Sequence, residues 1–460
     1  MTPFDASIVS VALPALGKDL HLSYSQGLWA QAAYLLLATV FLIPAGRIAD
    51  SHGPARYYLL GTAVFGLGSI AAALSPTASV LILARCIQGA GGAFMFATSA
   101  AIVTTAFPPA ERGRALGLNV MAVYVGLTAG PAVGGLIVAH TTWRWIFFIN
   151  VPIAVLTLIA GWRLRAMERR AQAAAGPKRP TAGLDWQGAV LLGGALAALF
   201  IPLTFFPLWG WANPKFLALL ASAVLLFVAF VVVEDRRSDP MLDLDLIRKN
   251  RVFALANSAT LFNYLAVFGV TTLTAVFLEV TQGRSAQQTG LMLLVQPVLM
   301  ATLAPISGRL SDRVGSRLLA TAGMVLIAAG MALMAFAGSS VIRVLLALAI
   351  IGVGMAGFSA PNMSAVMGSV DRSQLNLASG FLAAMRFCGQ GLSIAVLGAI
   401  AARSLGPQGA RIIFLGDAAS AASASAFAEG FRAAMLAGAG LALFGALLSS
   451  GTKAKRSAAC

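Results

Sequence analysis

Two stretches of the chain share one skeleton: Gly46-Arg-Ile-Ala-Asp-Ser-His-Gly-Pro-Ala-Arg56 and Gly308-Arg-Leu-Ser-Asp-Arg-Val-Gly-Ser-Arg317. The common pattern G-R-x-x-D-x-x-G recurs 262 residues on, which sets Gly46, Arg47, Asp50 and Gly53 opposite Gly308, Arg309, Asp312 and Gly315. At an offset of 263, Gly89 matches Gly352, Gly91 matches Gly354, Gly117 matches Gly380, Gly126 matches Gly389 and Gly135 matches Gly398. One such coincidence is easy by chance; agreement across several segments at a nearly constant offset is not. The chain therefore reads as two parallel copies of one unit. In a membrane, such copies imply a transporter with a midplane site between the halves.

The composition places those copies in a bilayer. Of 460 residues, 59% are hydrophobic and 10% charged, with a mean hydropathy of +0.85. A soluble domain carries roughly 25% charged residues, and no soluble fold of this length can hide so much apolar surface. Apolar runs between charge clusters predict helical spans near 1–16, 27–46, 56–75, 78–104, 115–139, 144–163, 187–208, 214–233, 252–278, 286–308, 317–338, 341–367, 377–402 and 429–450. Each full span has the length of about 20 residues that a hydrocarbon core demands. Spans 1–6 and 9–14 are the two copies, and spans 7 and 8 are inserted between them. The expected organisation is a six-helix bundle over 1–164, linkers and the two-span insert over 165–251, and a second six-helix bundle with its tail over 252–460.

A net charge of +16 raises the question of nucleic acid. However, 22 of the 32 basic residues fall in loops after even-numbered spans or in the C-terminal tail, 8 fall on the other side, and Arg85 and Arg386 lie inside spans. That asymmetry puts both termini in the cytoplasm and leaves no charge for a nucleic-acid partner to explain. The three cysteines and three histidines have no metal-ligand spacing, and no phosphate-binding G-x-x-x-x-G-K-[ST] loop occurs. Neither a metal nor another cofactor is expected, so energy must come from an ion gradient or from the substrate's own gradient.

An ionisable side chain at bilayer depth is a functional candidate. Asp5 lies roughly 17 Å below the outer edge of span 1, and Arg85 roughly 10 Å inside span 4, close enough for the long arginine to approach the acid. Arginine favours the ionised carboxyl and dehydration disfavours it; alternating exposure changes both, so Asp5 could take a proton from one side and release it on the other. Span 1 is short enough to leave the Met1 ammonium inside the hydrocarbon, so a natural N-terminal extension of roughly ten or more residues is expected. Arg386, in span 13, either lines the cavity or snorkels to the surface. Gln31, Tyr34, Gln88, Asn119, Asn257, Asn263, Gln296, Asn362 and Gln390 are polar groups that could face the cavity, and each could equally make an interhelical hydrogen bond.

These segments together resemble the major facilitator superfamily. Gly46–Arg56 is similar to its gating loop, and Arg85-Cys-Ile-Gln-Gly89 to its intramembrane arginine motif. Gly126-Leu-Thr-Ala-Gly130-Pro131-Ala-Val-Gly134-Gly135 is similar to its antiporter motif. Asp5-Ala-Ser-Ile-Val-Ser-Val-Ala-Leu-Pro14, the W-x-x-x-x-Y of Trp29–Tyr34, and Trp143-Arg-Trp-Ile-Phe-Phe-Ile-Asn-Val-Pro152 resemble the fourteen-span drug:proton antiporter branch. The resemblance implies an all-α polytopic membrane protein of major facilitator fold, working as a monomer in a bacterial-type inner membrane, with a periplasmic adaptor as a conceivable partner. It also implies proton-coupled export of small amphipathic molecules by alternating access. Asp5 and Arg85 would couple the proton, while Gly46, Arg47, Asp50, Gly53, Arg56, Gly308, Arg309, Asp312 and Gly315 would latch the cytoplasmic side.

The glycines of span 5 recur every four residues, so one helix face is small enough for a neighbour to approach closely. Generic packing and a hinge or seal against proton leak both account for them. With Asp5 the one midplane acid, a dication would lack a second carboxylate partner; neutral, monocationic or anionic substrates are expected. A proton-coupled uptake symporter or facilitator is the alternative, and a membrane-embedded enzyme or channel a remote one.

Overall fold

The computed structural model describes residues 1–106, 112–175, 185–210, 212–237, 244–370, 374–406, 408–409, 413 and 418–452. Among them, fourteen long helices follow in order: α1 (Thr2–Asp19), α2 (Tyr24–His52), α3 (Pro54–Ala73), α4 (Ala78–Ala106), α5 (Arg112–His140), α6 (Asn150–Ala175), α7 (Trp186–Trp209), α8 (Pro214–Asp235), α9 (Arg251–Val276), α10 (Val295–Val314), α11 (Ser316–Ala335), α12 (Val341–Gly368), α13 (Leu375–Ala402) and α14 (Ala418–Ser450). Single-turn or short helices precede α6, α9 and α10, and α9 ends in a π-turn, Phe277–Thr281. Among the described residues, eleven helical spans are long and apolar enough to cross a membrane. Helix is the conformation that satisfies every backbone polar group without water.

The two copies match in detail. Ser23 and Gln26 form a capping box at the start of α2, and Ser285 and Gln288 form the same box at the entry to span 10. Gly53 has φ +100° after α2, and Gly315 has φ +90° after α10. A Cβ on Gly61 would lie 2.7 Å from the Gly91 carbonyl oxygen, and one on Gly323 would lie 2.6 Å from that of Gly354. Thus α3 crosses α4 in one half, and α11 crosses α12 in the other, through paired glycines at which no larger residue fits without backbone movement.

The segment Gly46–Arg56, expected as a loop, is mostly helical. α2 runs on through His52 and α3 begins at Pro54, so the turn is Gly53 alone. The reason is local: only Gly53 needs a positive φ, which glycine adopts without a Cβ penalty, and proline is favoured at the first helical position that follows. The second copy repeats this with Gly315 between α10 and α11. The last helix also begins at Ala418, well before the expected 429; alanine's helix propensity carries the Ala/Ser-rich stretch.

α1 is enclosed by its neighbours, with Ile8, Val9, Val11, Ala12, Leu13 and Leu16 all at 0% exposure. In the insert, α7 packs on both halves: a Cβ on Gly193 would meet Val40 of α2, and one on Gly391 of α13 would meet Phe200 of α7. α8 lies outside it and exposes Leu217, Val224, Leu225, Phe227 and Val228, the apolar face that lipid would cover.

The halves meet at the face that carries few basic residues. There a Cβ on Gly135 of α5 would lie 2.6 Å from the Ala286 carbonyl oxygen, and one on Gly290 would lie 2.4 Å from that of Pro131. The symmetry-related crossing brings Gly398 of α13 against Leu28 of α2.

Candidate functional site

Asp5 and Arg85 are both fully enclosed, at 0% exposure. One guanidinium nitrogen of Arg85, Nη1, donates to Asp5 Oδ2 at 2.5 Å and to Gln88 Oε1 at 2.7 Å, and Nε donates to the Ala30 carbonyl at 2.9 Å. Gln88, one turn along α4 on the same face, passes its Nε2 to Ser69 Oγ at 2.7 Å and approaches Asp5 Oδ1 at 3.4 Å. The ring of Tyr34 covers the guanidinium, with Cζ 4.6 Å from its centroid, and Phe147 stands 5.7 Å away on its own ring. An arginine so placed gains both ion-pair and cation–π stabilisation. Among the described residues, its Nη2 has no hydrogen-bond partner.

The network also includes Asn150, fully buried at the start of α6, whose Nδ2 donates to Asp5 Oδ1 at 2.8 Å. Asn150 stands inside the Trp143–Pro152 motif, where the sequence assigns it no role. An amide within an apolar span was the signal available, as it was for the other polar candidates. Three helices thus meet at one carboxyl: α1 supplies it, α4 the cation and Gln88, and α6 the Asn150 amide, while Ser69 of α3 holds Gln88 in place.

The glycines of span 5 form the surface on which α1 lies. A Cβ on Gly130 would fall 1.9 Å from Ser7 Oγ and 3.0 Å from the Ile8 nitrogen, and one on Gly134 would fall 2.8 Å from Ile8 Cγ1. Gly126 approaches the Phe4 backbone in the same way, at 3.3 Å. Gly126, Gly130 and Gly134 therefore face the helix that carries Asp5, while Pro131 and Gly135 face the second half across the closed crossing.

The second copy does not repeat the polar network. At the 262–263 offset, Asp5 corresponds to Val267 and Arg85 to Leu348, and both are buried. Among the described residues of that half, no acid is fully buried; Glu279, in the π-turn at the basic-poor end of α9, is half-buried, with Oε1 enclosed and lacking a hydrogen-bond partner. Buried acids outside α1 occur in the insert, where Asp185 caps α7 and pairs with Arg237, and Glu234 ends α8 nearby.

The other polar candidates divide. Asn362 donates to the Ala256 carbonyl and to Thr260 Oγ1, Asn257 to the Phe253 carbonyl, and Asn263 to Met324 Sδ; all four bonds stay within the second bundle. Gln31 accepts from Thr272 at 2.7 Å and so links the halves. Gln296 is buried beside Gly352, whose Cβ would lie 2.6 Å from its carbonyl oxygen. Its counterpart at the 262 offset is Tyr34, whose carbonyl lies against Gly89. Tyr34, Arg386 and Gln390 line a small gap between the halves, together with Thr2, Ala6 and Leu127.

At the basic-rich face, Gly46 packs near Ala97 Cβ and Gly308 near Ala360 Cβ, again as repeat mates. Arg56 and Arg309 are exposed and Arg47 is half-buried. The side chains of Asp50, Asp312 and Asn119 lie outside the described residues. At the opposite face, Asp19 accepts from Arg144 at 2.7 Å and from Trp143 Nε1 at 2.9 Å. Those two donors hold the Asp19 carboxyl below the usual carboxylate range.

The profile of the family described as Major Facilitator Superfamily matches residues 1–233 and 256–456. The multidrug resistance protein Stp of Mycobacterium tuberculosis (strain CDC 1551 / Oshkosh) is 35% identical over 400 residues, covering 86% of this chain and 73% of its own. The tetracenomycin C resistance and export protein of Streptomyces glaucescens is 32% identical, covering 88% and 74%. Among solved structures, a bacterial homolog of the human lysosomal transporter Spinster, inward-facing and unoccupied, aligns with a TM-score of 0.68 at 16% identity over 97% of this chain and 93% of its own.

Proposed function

The chain belongs to the Major Facilitator Superfamily of membrane transporters, and we propose that it acts there as a proton-coupled antiporter that exports small amphipathic molecules by alternating access. The observation that carries this reading is the enclosed Asp5 carboxyl, bonded at once to Arg85 and Asn150 on a helix that lies against the span 5 glycines. A buried ion pair is poor material for stability, because desolvation offsets its attraction. Its retention at midplane depth fits a group whose charge is used. The resistance and export proteins with which the chain shares about a third of its residues support the outward direction.

In this mechanism the basic-rich face is cytoplasmic, by the excess of Lys and Arg there, and both termini lie on that side of the plasma membrane. The crossings of α5 with span 10 and of α2 with α13 seal the outer face in this state. Parting those crossings exposes Asp5 to the outside, where it takes a proton. Closing them and opening the inner face returns it to Arg85 as a carboxylate, with release of the proton to the cytoplasm. The Gly53 and Gly315 turns and the charges around them latch the inner face in the other state. The span 5 glycines serve as the bearing for α1 and as part of the outer seal.

The test is flux in reconstituted vesicles with an imposed pH gradient. Wild type moves dye against its gradient in the direction opposite to the proton, and Asp5→Asn loses the pH-driven component while retaining exchange of dye for dye. pH-driven flux that survives Asp5→Asn removes the basis of the proposal, and solute movement in the same direction as the proton marks an uptake symporter instead.

A further inference from the structure

Arg386 is the second arginine within the spans, and it has no acid. It projects from α13 into the gap between the halves; no ion pair or hydrogen bond reaches it among the described residues, and its Nε is buried without a partner. Around it stand three aromatic rings: Phe96 of α4 with its centroid 5.3 Å from Cζ, Tyr264 of α9 at 5.6 Å, and Phe387 at 5.8 Å. These rings come from both halves, so the guanidinium lies where the two bundles meet.

The physical contrast with Arg85 is direct. Arg85 has a carboxylate at 2.5 Å, whereas the half-buried Arg386 has, among the described residues, only ring faces, which attract a cation but leave its hydrogen-bond donors unused. An uncompensated cation at this depth is costly. Five N–H donors in a planar fork suit a carboxylate or another planar anion. The flanking rings offer stacking area to a flat aromatic body.

From this geometry we infer that Arg386, with Phe96, Tyr264 and Phe387, is the recognition site for planar aromatic substrates that carry a negative charge. The inference deepens the export reading and rests on it, since it names the substrate class of the same cavity. Tyr34 separates the two arginines: its ring covers Arg85 on one side and lines the gap with Arg386 on the other. The ligand therefore does not compete with the proton for Asp5 by charge. Antiport arises because the two occupants are served in alternate states of the halves. In this state, with the outer face sealed, the gap measures about 10 Å³, room for no more than about one water, so the ligand enters as the bundles part.

The experiment uses two dyes on the same planar xanthene skeleton, anionic fluorescein and cationic rhodamine 123, titrated by fluorescence anisotropy against the full-length protein purified in detergent at pH 7.5. Wild type binds fluorescein at least tenfold more tightly than rhodamine 123. Arg386→Gln weakens fluorescein at least tenfold and leaves rhodamine 123 within twofold, which also reports that the variant is folded. Arg386→Lys, which keeps the charge and loses the fork, falls between. A wild type that prefers rhodamine 123 or does not bind fluorescein overturns the inference whatever the variants do, and so does fluorescein affinity unchanged in Arg386→Gln. Arg386-dependent fluorescein binding in a protein whose flux ignores a pH gradient leaves the inference standing and removes the antiport reading. pH-driven export with no Arg386 dependence of fluorescein binding does the reverse.

Discussion

Neutralising one or both members of the Asp5–Arg85 pair separates what the pair does for stability from what it does for coupling. Asp5→Asn leaves Arg85 at 0% exposure with, among the described residues, only neutral acceptors, the Ala30 carbonyl, Gln88 Oε1 and the new amide oxygen, and the face of Tyr34. At an effective dielectric of about 20, unit charges about 4 Å apart attract by about 4 kcal/mol. That falls within the cost of about 3–5 kcal/mol for removing one partner of a buried pair. The double variant Asp5→Asn/Arg85→Gln carries no net charge and puts two amides where the ions were, so no buried charge is left uncompensated and its stability should recover most of what the single variant loses. Unfolding by denaturant in detergent at pH 7 measures both quantities, and flux under a pH gradient measures coupling in the same preparations. The expected pattern is a destabilised, uncoupled single variant and a stable double variant that is still uncoupled. A loss in Asp5→Asn no greater than the roughly 1 kcal/mol of a hydrated pair would mean that water reaches these charges and the desolvation argument fails. A double variant that still couples flux to the pH gradient would place the proton site elsewhere.

Three further outcomes follow from the same contacts. Asn150→Leu removes the 2.8 Å donor to Asp5 Oδ1 and leaves that oxygen the 3.4 Å approach of Gln88; a loss of about 1.5–3 kcal/mol is expected for a buried bond to a charged group, read by the same unfolding assay. Gly130→Val places a branched side chain where even a Cβ lies 1.9 Å from Ser7 Oγ, so α1 is displaced and both stability and pH-driven flux fall; Gly440→Ala, with nothing within 4 Å of the added carbon, is expected to be neutral or to gain up to about 1 kcal/mol from helix propensity. The Asp19–Arg144 pair, with Asp19 about half exposed, contributes no more than about 1 kcal/mol. Because the Asp19 carboxyl is held below its ordinary range, that contribution is fully present above about pH 4 and is lost as pH falls through the lowered folded value. The stability difference between wild type and Arg144→Gln should therefore be present at pH 7 and vanish at the acid end of a pH series.

The sequence by itself determined the number and order of the helices, the duplication and the two-helix insert, because each is written in local pattern. Apolar length makes a span, and a repeated glycine or turn motif marks a repeated backbone. Asp5 and Arg85 were legible for a similar reason: an ionised group within an apolar run stands out wherever its helix is turned. Only the tertiary structure decided which neutral polar residues meet them. Asn150 and Asn362 read alike in sequence, each a lone amide in an apolar run, yet one donates to Asp5 and the other bonds within the second bundle. Helix rotation and the crossing of distant segments set that difference, and Asn150 reaches Asp5 across 145 residues of chain. The glycines of span 5 were legible as a small face, but that the face receives the helix of Asp5 depends on which neighbour packs there. Arg386 could have snorkelled or turned inward with equal sense from its position in span 13. The aromatic rings that hold it between the halves come from three helices, and only their packing decides the matter.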